Sequence, residues 1–135
     1  MKIRELSLYC KDIEKVSSFY VKNMGLSANK IDENQIKIKI GESALSFKYH
    51  EQAHSDFLAF SIQLPGNKIR EAKNYFGRHF ELLEHRIFSD FDGKRSVQAF
   101  GISGPNNTHI ELHAFPEIYN PSQEPFGNRH LLNID

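Results

Sequence analysis

The segment with the clearest capacity for chemistry contains His109, Glu111 and His113, in which two imidazoles alternate with one carboxylate. Successive side chains of a β-strand point to opposite faces, so this spacing would place all three groups on one face. Imidazole and carboxylate ligands suit zinc, iron, nickel or manganese, and such ions can polarise a carbonyl or lower the pKa of bound water. The spacing therefore predicts a candidate metal site. The alternative interpretation is a row of hydrated residues on the exposed face of a half-buried strand.

Other reactive residue types give weaker signals. Cys10 is the single cysteine and has no CxxC partner, which favours a small buried hydrophobe over a nucleophile. The remaining histidines fall in predicted loops, near element ends or in the tail, where surface positions are expected. The sequence has no phosphate-binding glycine loop and no Gly-x-Ser-x-Gly elbow, so several enzyme classes are excluded.

Composition gives no sign of a charged macromolecular partner. The 135 residues contain 17 basic and 17 acidic side chains, and the sequence pI is about 7.1. This balance argues against binding to nucleic acid or to anionic lipid. No stretch approaches the roughly 20 apolar residues that cross a bilayer, and the N-terminus has no apolar signal core. We therefore expect a cytoplasmic protein whose partner is a small molecule.

A duplicated pattern supplies the elements that would position these residues. Residues 6–9 alternate in polarity and are followed by apolar residues at helical spacing, and residues 60–63 begin the same pattern again. Each copy reads as β-α-β-β-β, with modules over 3–49 and 57–114 and an irregular tail over 115–135. The sequence thus predicts one α+β domain, 1–135, that encloses a groove between its two halves.

Local signals mark the individual elements. In the first module we expect a strand over 3–10, a helix capped by Asp12 and closed by Gly25, and strands over 27–31, 35–40 and 43–49. In the second module we expect a strand over 58–64, a helix over 68–78 capped by Asn67, and strands over 82–88, 95–103 and 108–114. Asp92 and Gly93 form the expected hairpin turn between two of these strands.

The alternation also assigns faces. Leu6 and Leu8 are expected to face the helix, which leaves Glu5 and Tyr9 on the opposite surface. The same rule turns Ile110 and Leu112 of the last strand inward, so the row from His109 to His113 shares the face of Glu5 if the strands lie in one sheet.

The chain resembles the vicinal oxygen chelate superfamily, which contains glyoxalases, extradiol dioxygenases, fosfomycin-resistance transferases and bleomycin-resistance proteins. The segments that carry the resemblance are residues 6–13, 19–20, 24–26, 58–62 and 110–112. The resemblance implies paired βαβββ modules that form a cupped, mostly antiparallel, eight-stranded sheet with helices outside. It also implies a homodimer. One scaffold of this kind hosts several chemistries and a metal-free binding role.

The resemblance implies metal ligands position by position. Glu5 falls where the family has its first-strand ligand, and Glu111 matches the closing-strand glutamate that serves as a catalytic ligand. His113 or His109 would complete the set around a divalent ion. Two departures stand against this assignment: Phe57 occupies a position that is usually histidine, and Ser46 replaces an expected carboxylate.

Three functional hypotheses follow. The first is a metal-dependent lyase, isomerase or dioxygenase in which Glu5, Glu111 and His113 hold Zn, Ni, Fe or Mn. The second is a metal-free binding or drug-sequestering protein, in which Phe57, Tyr9 and Phe100 contact the ligand and Glu5 or Glu111 pairs with a cationic group on it. The third, which dispenses with metal, lets Glu5 and Glu111 share a proton so that one acts as a general base.

Overall fold

The computed structural model describes residues 2–53, 58–83, 86–89, 96–105, 108–115, 126–127 and 130–134. The first module consists of β1 (Glu5–Cys10), α1 (Ile13–Ser17), a π-helix (Ser18–Asn23), β2 (Ser27–Asp32), β3 (Gln35–Ile40) and β4 (Ser43–Tyr49). The second consists of β5 (Leu58–Gln63), α2 (Ile69–Phe76), β6 (Arg86–Ser89), β7 (Ser96–Ser103) and β8 (Thr108–Ala114), and β9 (Asn133–Ile134) follows from the tail. The predicted β-α-β-β-β order thus occurs twice.

The first helix begins and ends at the predicted residues but changes type along its length. Asp12 is the N-cap and accepts a hydrogen bond from the Lys15 amide at 3.1 Å, while Gly25 adopts a φ of 76° after the last turn. The second half is a π-helix rather than the expected α-helix. Its wider turn places two consecutive aromatic residues, Phe19 and Tyr20, in the core, where both are buried.

The second helix is shorter than expected and has a different cap. A turn in which the Lys68 amide donates to the Pro65 carbonyl at 3.1 Å includes Asn67, so Lys68 rather than Asn67 occupies the N-cap position. The Lys68 side chain makes no capping hydrogen bond. The Lys68 ammonium instead pairs with Glu71 of the first turn at 3.1 Å.

The two sheets have the same strand order. The first is β1-β4-β3-β2, and the second is β5-β8-β7-β6 with β9 added at the free edge of β5. The β1–β4 and β5–β8 pairs are parallel, and the other pairs are antiparallel. In the region of the strand predicted over 82–88, β6 covers Arg86–Ser89, and Leu82 forms an isolated bridge to Ile102. The predicted Asp92-Gly93 turn lies outside the described residues.

Each sheet has a core face, which packs against the helices, and an open face. Leu6 and Leu8 pack against the core as expected, and Phe60, Ile110 and Leu112 of the second sheet are buried in it. This apolar burial, worth roughly 25 cal/mol per Å², stabilises both modules around one continuous core. The polar residues that alternate with these apolar residues along each strand therefore lie on the open faces.

Within the tail, which was expected to be irregular, Asn133 and Ile134 form a short strand. Leu131 and Ile134 are fully buried, and β9 uses the free edge of β5 through a hydrogen bond from the Leu132 amide to the Gln63 carbonyl at 2.9 Å. The Ile3 amide donates to the Ile134 carbonyl at 2.8 Å. The tail strand thus links the second sheet to the segment that precedes β1.

The β3–β4 turn is fitted closely to this tail strand. Gly41 has a φ of +57°, and a Cβ atom at this position would lie 2.0 Å from the Leu132 carbonyl oxygen. Beside it, the Ser43 hydroxyl donates to the Ile3 carbonyl and accepts from the Ile134 amide at 2.9 Å. Position 41 therefore requires glycine, both for its positive φ and for its close contact with the Leu132 carbonyl.

Candidate functional site

Glu111 lies on the open face of the second sheet, where it forms an ion pair with Arg86. In the strand register Glu111 is opposite Ser61 of β5 and Gly101 of β7, and Arg86 comes from β6, one strand further along. The pair crosses β7 where Gly101 carries no side chain. The Glu111 side chain is 24% exposed and the Arg86 side chain 51% exposed, so the pair lies at the surface of the sheet.

His109 lies above the same glycine. A Cβ atom at Gly101 would lie 2.9 Å from Cε1 and 3.0 Å from Nε2 of the His109 ring, so the imidazole uses the space that glycine leaves. Glycine at this position therefore allows both the close approach of the imidazole and the crossing of the Arg86–Glu111 pair.

His113 is held in a different way. The residue is 6% exposed, and its Nδ1 lies 2.8 Å from the Ser61 hydroxyl of the neighbouring strand. The ring also packs edge-on against Phe115, with centroids 5.5 Å apart. Ser61 was not among the predicted site residues, although its place on the open face follows from the alternation of β5.

Glu5 lies on the open face of the first sheet and pairs with Lys37 of β3 at 3.1 Å. The pair crosses β4, because Glu5 is opposite Ala44 and Lys37 is opposite Ser46. Each of the two predicted acidic ligands is thus held by a basic residue of its own module. Neither Lys37 nor Arg86 was predicted, because an ion pair across an intervening strand depends on strand order.

The arrangement does not fit the predicted metal site. No group of three or more His, Cys, Asp or Glu side chains that could hold an ion occurs within the described ranges. Glu5 and Glu111 have basic partners, and Nδ1 of His113 contacts Ser61. The donor types suit a divalent ion, but the structure does not gather them.

The strand register also shows which residues of the two modules occupy equivalent positions. Ser46 and Glu111 occupy equivalent positions, since they lie opposite Ser7 of β1 and Ser61 of β5. Two residues earlier in each first strand are Glu5 and Ala59. By strand register, the second-module counterpart of Glu5 is therefore Ala59.

The three predicted ligand-contacting aromatic residues lie in different environments. Tyr9 is 64% exposed on the open face and packs edge-on against His50 at 5.5 Å. Phe100 is 1% exposed, because it pairs with Leu112 on the core face of β7, and its ring is not available to a ligand on the open face. Phe57 lies outside the described residues.

Cys10 belongs to the hydrophobic core, where burial raises the pKa of its thiol. A raised thiol pKa leaves little thiolate near neutral pH, so the interpretation of Cys10 as a buried hydrophobe holds.

A groove of about 590 Å³ opens on the first sheet. Its lining comes from β2, β3, the β3–β4 turn and the start of β4, and consists of Ser27, Ala28, Asn29, Lys37, Lys39, Gly41, Glu42, Ser43 and Ala44. The volume lies in the range of about 300–1,000 Å³ that is typical of small-molecule sites.

Two βαβββ modules with the same strand order, in which the first and last strands pair in parallel, define the class: the chain has the vicinal oxygen chelate fold. It is similar to lactoylglutathione lyase from Agrobacterium tumefaciens, with a TM-score of 0.66, 14% identity, and coverage of 83% of this chain and 92% of that one. It is also similar to a glyoxalase/bleomycin resistance protein/dioxygenase from Alicyclobacillus acidocaldarius, with a TM-score of 0.62, 15% identity, and coverage of 84% and 90%.

An integron cassette protein from the mobile metagenome of the Halifax Harbour sewage outfall has the same fold, with a TM-score of 0.67, 16% identity, and coverage of 83% of this chain and 97% of that one. These identities establish the shared fold and nothing finer. No protein-family model matches the sequence, and no curated protein matches it. Within the described ranges, no helix has the length and apolar character needed to span a membrane.

Proposed function

We propose that this chain is a metal-independent small-molecule-binding protein whose ligand lies on the open face of the first sheet. The groove of about 590 Å³ beside β3 and β4 is the observation that carries the proposal. It combines short side chains at Ser43 and Ala44 with hydrogen-bonding groups at Ser27, Asn29 and Lys39. A cavity of this size that is lined by a small number of polar groups is typical of ligand sites.

The environment of the acidic residues supports binding without metal. Lys37 and Arg86 neutralise Glu5 and Glu111, and a metal ion would have to displace both basic side chains. Tyr9, on the same sheet face as Glu5, supplies an exposed ring that a planar ligand can contact. This is the second of the hypotheses drawn from the sequence, changed in two respects: Phe100 is left out of the contact set, and Glu5 and Glu111 pair with Lys37 and Arg86 instead of with a cationic ligand.

A titration followed by amide NMR in the presence of EDTA tests the proposal. We expect a fragment library to contain ligands whose shift changes cluster at residues 27–29, 37–39 and 41–44. Ala44→Leu should abolish these changes by filling the groove while leaving the fold intact. Ala59→Leu, at an exposed position on the second sheet, is the matched control and should bind normally. Ligands that act only when metal is added, or that shift other residues, would overturn the proposal.

A metal-dependent lyase, isomerase or dioxygenase is the second candidate. The observation in its favour is that β8 presents His109, Glu111 and His113 at alternate positions, with Glu111 at the open face. Equilibrium dialysis against Zn²⁺, Ni²⁺, Fe²⁺ or Mn²⁺ distinguishes the two candidates. One ion bound per chain, and lost in Glu111→Gln, would favour the metal-dependent enzyme.

We also propose the homodimer that the resemblance implies. All six residues of β2 are exposed, and no described strand pairs with its outer edge, which leaves backbone groups for a second copy. Light scattering at micromolar concentration tests this, and a monomeric mass would contradict it.

A further inference from the structure

The open face of the first sheet can be described as rows of residues that lie side by side across its four strands. One row contains Glu5, Ala44, Lys39 and Ser27, and the next contains Ser7, Ser46, Lys37 and Asn29. Directly opposed residues of neighbouring strands point to the same face. The two rows therefore place two lysines of β3 beside a hydroxyl and an amide of β2, all lining the groove.

This face carries an excess of positive charge. Lys37, Lys39 and Lys48 occupy it together with two carboxylates: Glu5, which pairs with Lys37, and Asp32, which accepts a hydrogen bond from the Asn34 amide. Lys39 and Lys48 form no ion pair with any described carboxylate. Glu42, the other acid at the groove, pairs with Lys2. Two ammonium groups are thus left without a neutralising partner.

The other sheet differs in this respect. Among the described residues of its open face there are one acid and one base, Glu111 and Arg86, and these form a pair. The whole chain has equal numbers of acidic and basic residues, so the excess on the first sheet is a local feature. Local excess charge at a groove attracts ligands of the opposite sign.

We propose that the groove recognises a small anionic ligand, one that carries carboxylate or phosphate groups, through Lys39 and secondarily Lys37. The proposal rests on the binding function proposed above and specifies the class of ligand. Alternate residues of one strand lie roughly 7 Å apart, so the ammonium groups of Lys37 and Lys39 can reach two oxygens of one small dianion. Asn29 and Ser27, directly across from them, supply amide and hydroxyl donors.

The test compares succinate with its uncharged analogue succinamide, and adds inorganic phosphate as a second anion. Binding is followed by amide NMR at about 20 mM and about 200 mM ionic strength, with EDTA present. We expect both anions to shift residues 27–29 and 37–39, succinate to bind at least tenfold more tightly than succinamide, and the affinity to fall as salt screens the charges.

Variants separate a specific site from general surface charge. Lys39→Gln should weaken succinate binding at least fivefold, and Lys39→Arg should restore most of it. Lys22→Gln removes an exposed lysine of the π-helix and should leave binding unchanged. Equal effects of Lys39→Gln and Lys22→Gln would overturn the proposal.

The two proposals fail in different ways. If neutral fragments bind in the groove and charge makes no difference, the anionic class is wrong while the binding function stands. If no fragment of any charge shifts the groove residues, both are wrong.

Discussion

Arg86 and Glu111 form an ion pair that crosses β7 on the open face of the second sheet. On the first sheet Lys37 and Glu5, at positions that are not the counterparts of Arg86 and Glu111, form a pair across β4. Both acids that the resemblance assigned to a metal thus have basic partners. The excess of lysines on the open face of the first sheet is the electrostatic basis of the proposed ligand preference.

The Arg86–Glu111 pair should add little to folding stability. Because Arg86 is half exposed, solvent screens the attraction, and a coupling energy of about 1 kcal/mol or less is expected. A double-mutant cycle with Arg86→Gln and Glu111→Gln, measured by urea unfolding, gives this value. The exposed Lys30–Glu14 pair is a control of the same chemistry. A coupling of roughly 3 kcal/mol would contradict the exposed environment.

Gly41→Ala should destabilise the chain by about 2 kcal/mol or more. The substitution adds a positive-φ strain of about 1–2 kcal/mol and drives a methyl group into the Leu132 carbonyl oxygen. Thermal and urea unfolding measure the loss. Gly25→Ala, in another turn with a φ of 76°, is the control for conformational strain. An equal cost for both variants would mean that the tail strand yields to the methyl group without penalty.

Tyr20→Phe should leave stability unchanged or raise it by about 1 kcal/mol. The Tyr20 hydroxyl is fully buried and has no hydrogen-bond partner within the part of the chain that the structure describes. Burial raises the pKa of this phenol, so the hydroxyl stays neutral, and its removal relieves a desolvation cost. Tyr75→Phe, at a partly exposed position, is the control. A loss of more than about 1 kcal/mol in Tyr20→Phe would reveal a partner for the hydroxyl.

Glu71 should make the chain sensitive to acid. The Lys68 ammonium, by hydrogen bonding at 3.1 Å, holds the pKa of the Glu71 carboxyl below its ordinary value of 4.5, and the Phe126 amide donates a further bond at 3.0 Å. A pKa that is lower in the folded state contributes stability that is fully present above the ordinary value. That contribution is lost as the pH falls through the folded pKa.

The midpoints of urea unfolding, measured from pH 5.5 to pH 3, check that stability falls with falling pH. The wild-type chain should be more stable than Glu71→Gln at pH 5.5, and the two curves should converge toward pH 3. Glu33→Gln, at the exposed turn between β2 and β3, should run parallel to the wild type. Parallel curves for Glu71→Gln would show that the contact with Lys68 does not stabilise the fold.

Local patterns predicted most of the fold. The cap at Asp12, the end of the first helix at Gly25 and the faces of Leu6 and Leu8 are confirmed, because capping and alternation depend on neighbouring residues. The same alternation argues against Phe100 as a ligand contact, since it shares the parity of the buried Ile102 in β7. The π-helix and the cap at Lys68 depended on packing and on the preceding turn.

The sequence alone determined the doubled β-α-β-β-β order and the open-face positions of Glu5 and Glu111, because periodicity is a local property. Tertiary structure decided which basic side chain neutralises each acid, that Asn133 and Ile134 form β9, and that Lys39 lies beside a groove without an ion pair to any described carboxylate. These features depend on strand order and register. Both are set by contacts between residues far apart in the chain, which no short window of sequence contains.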